Sequence, residues 1–239
     1  MMLKPWDRLP ESLRTEEVRK YYDVLKKKQA SLFFKRVFDI VVSAIMLVLL
    51  CPIFLILAIL IKLDSKGPVF YRQVRVTQYG RHFRIFKFRT MVQNADKMGS
   101  EVTVNRDPRI TRVGHVIRKC RLDEICQLID VFRGTMTFVG TRPEVPRYVD
   151  AYTPEMMATL LLPAGVTSEA SICYKDESRL LDAAADVDAC YIHEVLPAKM
   201  QYNLRAIERF SFFSDIGIMF KTVFAVLGVD FSGGEKNKT

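Results

Sequence analysis

Two adjacent carboxylates, Asp123 and Glu124, occur in a part of the sequence that is otherwise rich in cations. The nearby cations are Lys87, Arg89, Arg106, Arg109, Arg112, Arg118, Lys119 and Arg121. A carboxylate among cations stays ionised, as a nucleophile or a metal ligand must. Most adjacent acidic residues are solvated surface groups, so the pair by itself leaves that interpretation open.

The two carboxylates are expected to perform different tasks. Because neighbouring residues on a helix point about 100° apart, they would not both face one reacting atom. One carboxylate could attack a phosphorus atom while the other holds Mg2+, which bridges diphosphate oxygens. Lysine and arginine would hold the remaining phosphate oxygens, arginine through paired hydrogen bonds.

The net charge of +9 on 239 residues indicates partners that carry negative charge: nucleic acid, anionic lipid headgroups or phosphorylated substrates. Five cysteines without a Cys-x-x-Cys pair indicate a reduced, cytosolic environment, and three widely spaced histidines do not indicate a metal cluster. The sequence also lacks the interleaved aromatic platform or helix-turn-helix spacing typical of nucleic-acid binding. We therefore expect no nucleic-acid partner.

Residues 40–61 form an almost wholly apolar stretch, long enough to reach across the hydrocarbon core of a bilayer. Cys51 and Pro52 lie at its middle, where a proline kinks a helix. Both flanks are basic, and the positive-inside tendency places both of them in the cytoplasm, which a single crossing cannot do. We therefore expect a re-entrant helix-break-helix, with an ordinary kinked span as the alternative.

The remaining patterns predict an α+β, mainly helical fold. Residues 69–76 and 82–88 have the composition of two short strands, and the charge-rich residues 11–29 predict a surface helix that is solvated or lies beside lipid headgroups. A helical repeat over residues 116–132 predicts one helix whose apolar stripe leaves Asp123 and Glu124 off the buried face. The stripe consists of Leu122, Ile125, Leu128, Ile129 and Phe132.

A second apolar face near the C-terminus predicts an amphipathic helix that packs in the core or lies in the membrane interface. Its residues are Ile216, Met219, Phe220, Val223, Phe224 and Leu227. Together these patterns divide the chain into a basic N-terminal surface segment (1–34), a membrane helix (35–62), a cytosolic domain (63–228) and a polar tail (229–239).

An ordered set of short segments resembles the bacterial sugar transferases that are monotopic polyprenyl-phosphate phosphoglycosyl transferases, over roughly residues 35–226. The segments are Lys35-Arg36-Val37-Phe38-Asp39, Pro52, Ile61-Lys62-Leu63-Asp64-Ser65, Gly67-Pro68-Val69-Phe70, Lys87-Phe88-Arg89-Thr90-Met91, Leu122-Asp123-Glu124 with Gln127-Leu128, and Val139-Gly140-Thr141-Arg142-Pro143. Each segment alone is a weak signal, but their order is specific.

The resemblance implies a re-entrant helix and an active site on the cytoplasmic face of the bacterial inner membrane. It also implies transfer of a sugar-1-phosphate from a nucleotide diphosphate sugar, expected to be a UDP-sugar, to undecaprenyl phosphate. On that basis Asp123 is the nucleophile that carries a covalent phosphosugar and Glu124 is the Mg2+ ligand, in a ping-pong scheme. Lys87, Arg89, Arg118, Arg142 and Lys175 are expected to contact substrate phosphates, with salt bridging on the helix surface as the alternative for Arg118.

The sequence departs from the family pattern at several positions. Cys51 replaces the usual serine before Pro52, and Thr141 replaces the usual proline before Arg142. From residue 163 to residue 176 the common glycine- and asparagine-rich sequence is absent, and Lys175 stands about where an arginine is expected. The sugar, the nucleotide base and the oligomeric state, including a homo-oligomer, therefore stay open.

Two other functions remain. The chain could be a membrane-anchored, non-catalytic binding protein for anionic lipid or nucleic acid. Alternatively, Asp123 could act as a general base for direct attack by the lipid phosphate. That phosphate is already largely ionised near neutral pH, so a base has little to remove, and the covalent route is preferred.

Overall fold

The computed structural model describes residues 3–95, 107–174 and 186–226, and these form a mainly helical body with two small sheets. The helices are α1 (Glu16–Lys27), α2 (Gln29–Leu49), α3 (Cys51–Asp64), α4 (Arg112–Lys119), α5 (Leu128–Arg133), α6 (Pro146–Val149), α7 (Glu169–Cys173), α8 (Val187–Cys190), α9 (Leu196–Glu208) and α10 (Phe212–Val226). The strands are β1 (Phe70–Thr77), β2 (Arg81–Phe88), β3 (Met136–Val139) and β4 (Ala164–Thr167). Short 3-10 helices span Trp6–Arg8, Glu11–Leu13, Gln78–Gly80, Leu122–Gln127 and Met156–Leu161, and one π-helical turn spans Tyr191–Val195. The predicted α+β, mainly helical class is confirmed.

The two predicted strands form an antiparallel hairpin, with Phe70 opposite Phe88 at one end and Thr77 opposite Arg81 at the other. Its turn uses two left-handed residues, Tyr79 at φ 61° and Gly80 at φ 73°. The second sheet pairs β3 with β4 in parallel and was not predicted, because its strands have only four residues each. The hairpin is the element that presents Lys87.

Helices α2 and α3 form a bent pair, with a bend of 60° at the break between Leu49 and Cys51. The break lies where the sequence predicts it, and Pro52 occupies the first turn of α3, where its missing N–H is not needed. Among the described residues no single helix is long and apolar enough to cross a membrane. The two helices of the bent pair taken together are long and apolar enough. The pair exposes the large apolar side chains Val41, Ile45, Val48, Leu49, Leu55, Ile56, Ile59, Leu60 and Leu63.

Both helices of the bent pair are attached to the same globular body. Asp39 on α2 is 1% exposed, and its carboxylate accepts hydrogen bonds from the Thr137 hydroxyl at 2.7 Å and from the Phe138 amide at 3.2 Å. Ile61 near the end of α3 packs in one cluster with Phe88 and Ile117. Both helices of the pair therefore contact the same body.

The N-terminal residues contribute more to the core than the charge pattern predicts. Helix α1 is capped by the Thr15 hydroxyl and buries Val18, Tyr21, Tyr22 and Leu25. These side chains pack in one cluster with residues of α9 and of the Met156–Leu161 turn. The N-terminal segment therefore lies at the surface only in part, because the charged face of α1 is exposed while its apolar face is buried in the core.

The C-terminal helix α10 packs partly in the core, as one of the two alternatives predicts, and a position in the membrane interface stays a prediction. Ile218 and Met219 pack against the cluster that contains β3. Phe213, Phe220, Val223 and Phe224 are exposed. Leu227 and the tail 229–239 lie outside the described residues.

Candidate active site

The single helix predicted over residues 116–132 is wrong, because the chain breaks at Arg121. That residue adopts a left-handed conformation with φ 53°, which ends the α4 direction and starts the 3-10 helix Leu122–Gln127. Helix α5 follows in a new direction, and Phe132, expected in the buried face, is 47% exposed. In a 3-10 helix neighbouring side chains project about 120° apart, so Asp123 and Glu124 still point in different directions.

Glu124 is held by two cations from two other parts of the chain. Lys87 at the end of β2 donates from Nζ to Oε1 at 2.9 Å. Arg142, in the loop after β3, donates to Oε1 at 2.5 Å and to Oε2 at 3.3 Å. Burial alone would raise the pKa of Glu124, but the charges of Arg142 and Lys87 outweigh it and hold that pKa well below its usual value. Glu124 is therefore a fixed, ionised carboxylate.

Asp123 has a different environment. Within the described residues its carboxylate forms no salt bridge. Burial raises the pKa of Asp123, the neighbouring charge of Glu124 raises it further, and Lys87 and Arg118 only partly offset the increase. An ionised Asp123 is thus partly desolvated and has no ion-pair partner among the described residues. Such a carboxylate is a better nucleophile than a solvated or ion-paired one, because less stabilisation is lost when it forms a bond.

Arg118 completes the group of charges, which we call the carboxylate cluster: Lys87, Arg118, Asp123, Glu124 and Arg142. Arg118 lies in the last turn of α4, and its Nε donates to the Thr90 hydroxyl at 2.8 Å. Burial lowers the pKa of Arg118, and the nearby charge of Asp123 opposes that effect. Arg118 makes no salt bridge to a described residue, so the structure does not support surface salt bridging.

Arg89, predicted to contact a phosphate, is not part of the carboxylate cluster. Its side chain points to the end of α3, where it donates to the backbone oxygens of Ser65 at 2.7 Å and Lys66 at 2.9 Å. Gly67, at φ 125°, packs so closely that a Cβ there would lie 2.0 Å from an Arg89 nitrogen. The residue is 5% exposed and donates to the backbone carbonyls that directly follow α3. Its charge identified it as a candidate, but the partner carbonyls are invisible in the sequence.

Three further candidate positions were predicted, and one residue near the carboxylate cluster was missed. Lys175 lies outside the described residues. Cys51 and Pro52 lie at the break of the helix pair, as expected. Thr90 was missed as an individual residue, because a threonine hydroxyl within an Arg-Thr-Met run carries no signal of its own; only the structure reveals its bond to Arg118.

The donors present fit Mg2+ only in combination with oxygens from a bound substrate. No group of three His, Cys, Asp or Glu side chains in the described ranges could hold a metal ion. Mg2+ commonly uses one or two carboxylates together with phosphate oxygens and water. Glu124 can supply one such carboxylate, although its oxygens already accept hydrogen bonds from Lys87 and Arg142.

Residues 30–229 match the family model described as bacterial sugar transferase. The chain belongs to the bacterial sugar transferase family. In this sugar transferase the match includes the whole carboxylate cluster, the bent helix pair and both sheets, whereas α1 precedes it.

Named relatives agree with the family. A UDP-N-acetylgalactosamine-undecaprenyl-phosphate N-acetylgalactosaminephosphotransferase from Aeromonas hydrophila is 37% identical over 198 residues, which cover 82% of this chain and 44% of the relative. A UDP-glucose:undecaprenyl-phosphate glucose-1-phosphate transferase from Escherichia coli strain K12 is 34% identical, covering 80% of this chain and 39% of the relative. The exopolysaccharide production protein ExoY from Rhizobium meliloti is 30% identical, covering 80% and 84%. The chain thus spans less than half the length of the first two relatives.

Proposed function

We propose that this sugar transferase moves a sugar-1-phosphate from a UDP-sugar to undecaprenyl phosphate through a covalent intermediate on Asp123. The observation that carries the proposal is the contrast between two adjacent carboxylates. Glu124 is fixed by Lys87 and Arg142, while Asp123 has no ion pair within the described residues and a raised pKa. The relatives from Aeromonas hydrophila and Escherichia coli carry names that state these substrate classes.

In the first step an Asp123 carboxylate oxygen attacks the phosphorus that bears the sugar. A new P–O bond forms to Asp123, and the bond from that phosphorus to the bridging oxygen breaks. The bridging oxygen leaves with its electron pair on UMP. In the proposal, Arg118 and the ammonium of Lys87 hold phosphate oxygens as charge shifts to the leaving group.

In the second step an oxygen of undecaprenyl phosphate attacks the same phosphorus. The bond between phosphorus and Asp123 breaks, so the carboxylate returns to its starting state and the product is undecaprenyl diphosphate sugar. Undecaprenyl phosphate needs no deprotonation near neutral pH, because its phosphate is already largely ionised. The scheme therefore requires no general base beside Asp123.

Mg2+ is the expected cofactor, and in the proposal Glu124 is its protein ligand once substrate is bound. When bound it would offset the negative charge of the diphosphate. Glu124 also has a role that needs no metal. It forms ion pairs with both Lys87 and Arg142 and so holds these cations beside Asp123 before substrate binds.

The acceptor's chemistry calls for a membrane surface, and the bent pair α2–α3 suits that location. Its exposed apolar side chains and its 60° bend, together with attachment of both helices to one body, favour a re-entrant element over a single crossing. In the proposed arrangement the active site faces the cytoplasm at the inner membrane, and lipids are partners of the apolar faces.

The decisive experiment measures the intact mass of the protein after addition of a UDP-sugar and Mg2+ without lipid. We expect an added mass equal to one phosphosugar, UMP release of at most one equivalent, and neither in Asp123→Asn. Asp150→Asn, which changes an exposed carboxylate, is the control and should behave as the unchanged protein. UMP release that requires lipid, without any adduct, would favour direct attack with Asp123 as a base. No UMP release across a broad panel of UDP-sugars, with or without lipid, would favour a binding protein.

A further inference from the structure

Thr90 occupies a buried position between the carboxylate cluster and the start of α4. The residue is 6% exposed and follows β2 directly after Arg89. Its hydroxyl oxygen accepts a hydrogen bond from Nε of Arg118 at 2.8 Å. This bond uses the inner nitrogen of the guanidinium, so Thr90 does not occupy the two terminal nitrogens.

The backbone of Thr90 fixes the other end of α4. Its carbonyl oxygen accepts a hydrogen bond from the Thr111 amide at 3.0 Å, and Thr111 caps α4 through its own hydroxyl. Gly114 packs against the same carbonyl so closely that a Cβ would lie 2.1 Å from the oxygen. Thr90 thus contacts the first turn of α4 through its backbone and the last turn through its side chain.

We propose that Thr90 is a positioning residue that holds Arg118 so that its terminal nitrogens donate to oxygens of the phosphate attacked by Asp123. This inference rests on the proposed function. A guanidinium held at Nε keeps a planar outer edge with two parallel donors, which matches two oxygens of a phosphate. Without the Thr90 hydroxyl the long arginine side chain would sample other rotamers, and the ordering cost would return at each turnover.

A positioning role differs from a packing role because it acts only through Arg118. Valine has the shape of threonine without its hydroxyl, whereas serine keeps the hydroxyl and loses a methyl group. A packing role predicts that serine is the more harmful change. A positioning role predicts the reverse.

The experiment measures steady-state transfer from a UDP-sugar to undecaprenyl phosphate with the full chain in detergent or nanodiscs, after the unchanged protein has been shown to make product. For Thr90→Val we expect kcat to fall by about tenfold or more, with the KM for the UDP-sugar changed by less than about threefold. Thr90→Ser should retain kcat within about threefold. Thr222→Val is the matched control, because it also removes a threonine hydroxyl that forms hydrogen bonds of 2.8 Å, to the Thr167 hydroxyl and to the Ile218 carbonyl, but lies on α10. It should leave kcat unchanged.

The second arm is a double-mutant cycle with Arg118→Lys. Lysine has no Nε–H to donate to Thr90, so adding Thr90→Val to Arg118→Lys should change kcat by less than about twofold. If Thr90→Val alone has the activity of the unchanged protein, or if its defect persists in the Arg118→Lys background, the inference is wrong while the proposed function stands. If Thr90→Val does not fold, as judged by thermal unfolding, the comparison of Thr90→Ala with Thr90→Ser decides by the same criteria. An unchanged protein that makes no product refutes the proposed function itself and this inference with it.

Discussion

Replacing Glu124 by glutamine is expected to lower the stability of the folded protein, and to do so only above acidic pH. The substitution keeps the shape of the side chain but removes the negative charge that forms ion pairs with Lys87 and Arg142. Hydrogen bonds to charged groups contribute about 1.5–3 kcal/mol each when buried. The exposed side-chain fractions here are 23% for Glu124, 20% for Lys87 and 39% for Arg142, so solvent screens the Arg142 bond in particular.

A glutamine oxygen can still accept one of these bonds, so we expect a net loss of about 1–3 kcal/mol in the free energy of unfolding. For a chain of this size that corresponds to a fall in Tm of roughly 2–12 °C. The pKa of Glu124 is held below its unfolded value, so its stabilising effect is complete above the unfolded pKa of about 4.3 and is lost as pH falls through the folded pKa. The difference between the two proteins should therefore be largest near pH 7 and shrink below about pH 4.

The assay is thermal unfolding followed by circular dichroism from about pH 3.5 to pH 8, in EDTA so that no divalent ion contributes. Asp150→Asn serves as the control for loss of an exposed carboxylate. Equal Tm values for Glu124→Gln and the unchanged protein at pH 7 would refute the reasoning, because the two cations would then gain nothing from Glu124. A difference that is constant over the whole pH range would also refute it, since the effect would not come from ionisation.

Three further changes have expected outcomes. Asp123→Asn should abolish transfer yet raise Tm at pH 7 by a few degrees. The pKa of Asp123 is raised in the folded protein, so its ionisation lowers the stability of the fold as pH rises through that pKa, and asparagine cannot ionise. Thermal unfolding at pH 4 and pH 7 would reveal the difference. Arg89→Met should lower the free energy of unfolding by about 2–5 kcal/mol, because the backbone carbonyls just after α3 lose the guanidinium that donates to them. Urea titration measures the change, and an effect smaller than about 1 kcal/mol would contradict that role. Gly165→Ala should unfold or strongly destabilise the protein, since the new Cβ would lie 2.2 Å from the Gly140 backbone. Gly217→Ala should be neutral or stabilising, because a Cβ there would have no described atom within 4 Å. Equal Tm values for the two variants would contradict the close approach of the Gly140 and Gly165 backbones.

The parts of the site that the sequence predicts are those whose chemistry depends on residue type. Lys87, Asp123, Glu124 and Arg142 are charged residues that belong to short recognisable segments, and the structure brings all four together. The break in the apolar stretch is equally local, because Pro52 cannot continue a helix in the ordinary way. Patterns of this kind need no knowledge of distant contacts.

The parts that the sequence does not predict depend on contacts between distant residues. Arg121 has no side-chain feature that requires a left-handed backbone, so the apolar repeat around it was interpreted as one continuous helix. Arg89 and Arg118 are both arginines near the same motifs, yet one donates to the backbone carbonyls that follow α3 and the other donates to the Thr90 hydroxyl. The strands β3 and β4 are too short for a periodic signal, and their pairing depends on the contact of Gly140 with Gly165.

The position of Arg142 shows how far the supports of the carboxylate cluster extend. Arg142 lies in a loop that is fixed on one side by Arg75, which donates to the Pro143 carbonyl at 3.0 Å. On the other side, the buried carboxylate of Glu144 accepts a hydrogen bond from the Tyr191 hydroxyl at 2.7 Å. Tyr191 begins the π-helical turn, a wider form of helix that often occurs at functional sites.

This arrangement explains why the ion pair between Arg142 and Glu124 can be rigid although Arg142 itself is partly exposed. An exposed arginine ordinarily loses much of its pairing energy to side-chain entropy and solvent. Here the loop backbone is held through Pro143 and Glu144, so only the Arg142 side chain remains to be ordered when it pairs with Glu124. The π-helical turn and Arg75 therefore act on Asp123 indirectly: they keep Arg142 on Glu124, and a Glu124 that stays ionised is one of the charges that raises the pKa of Asp123.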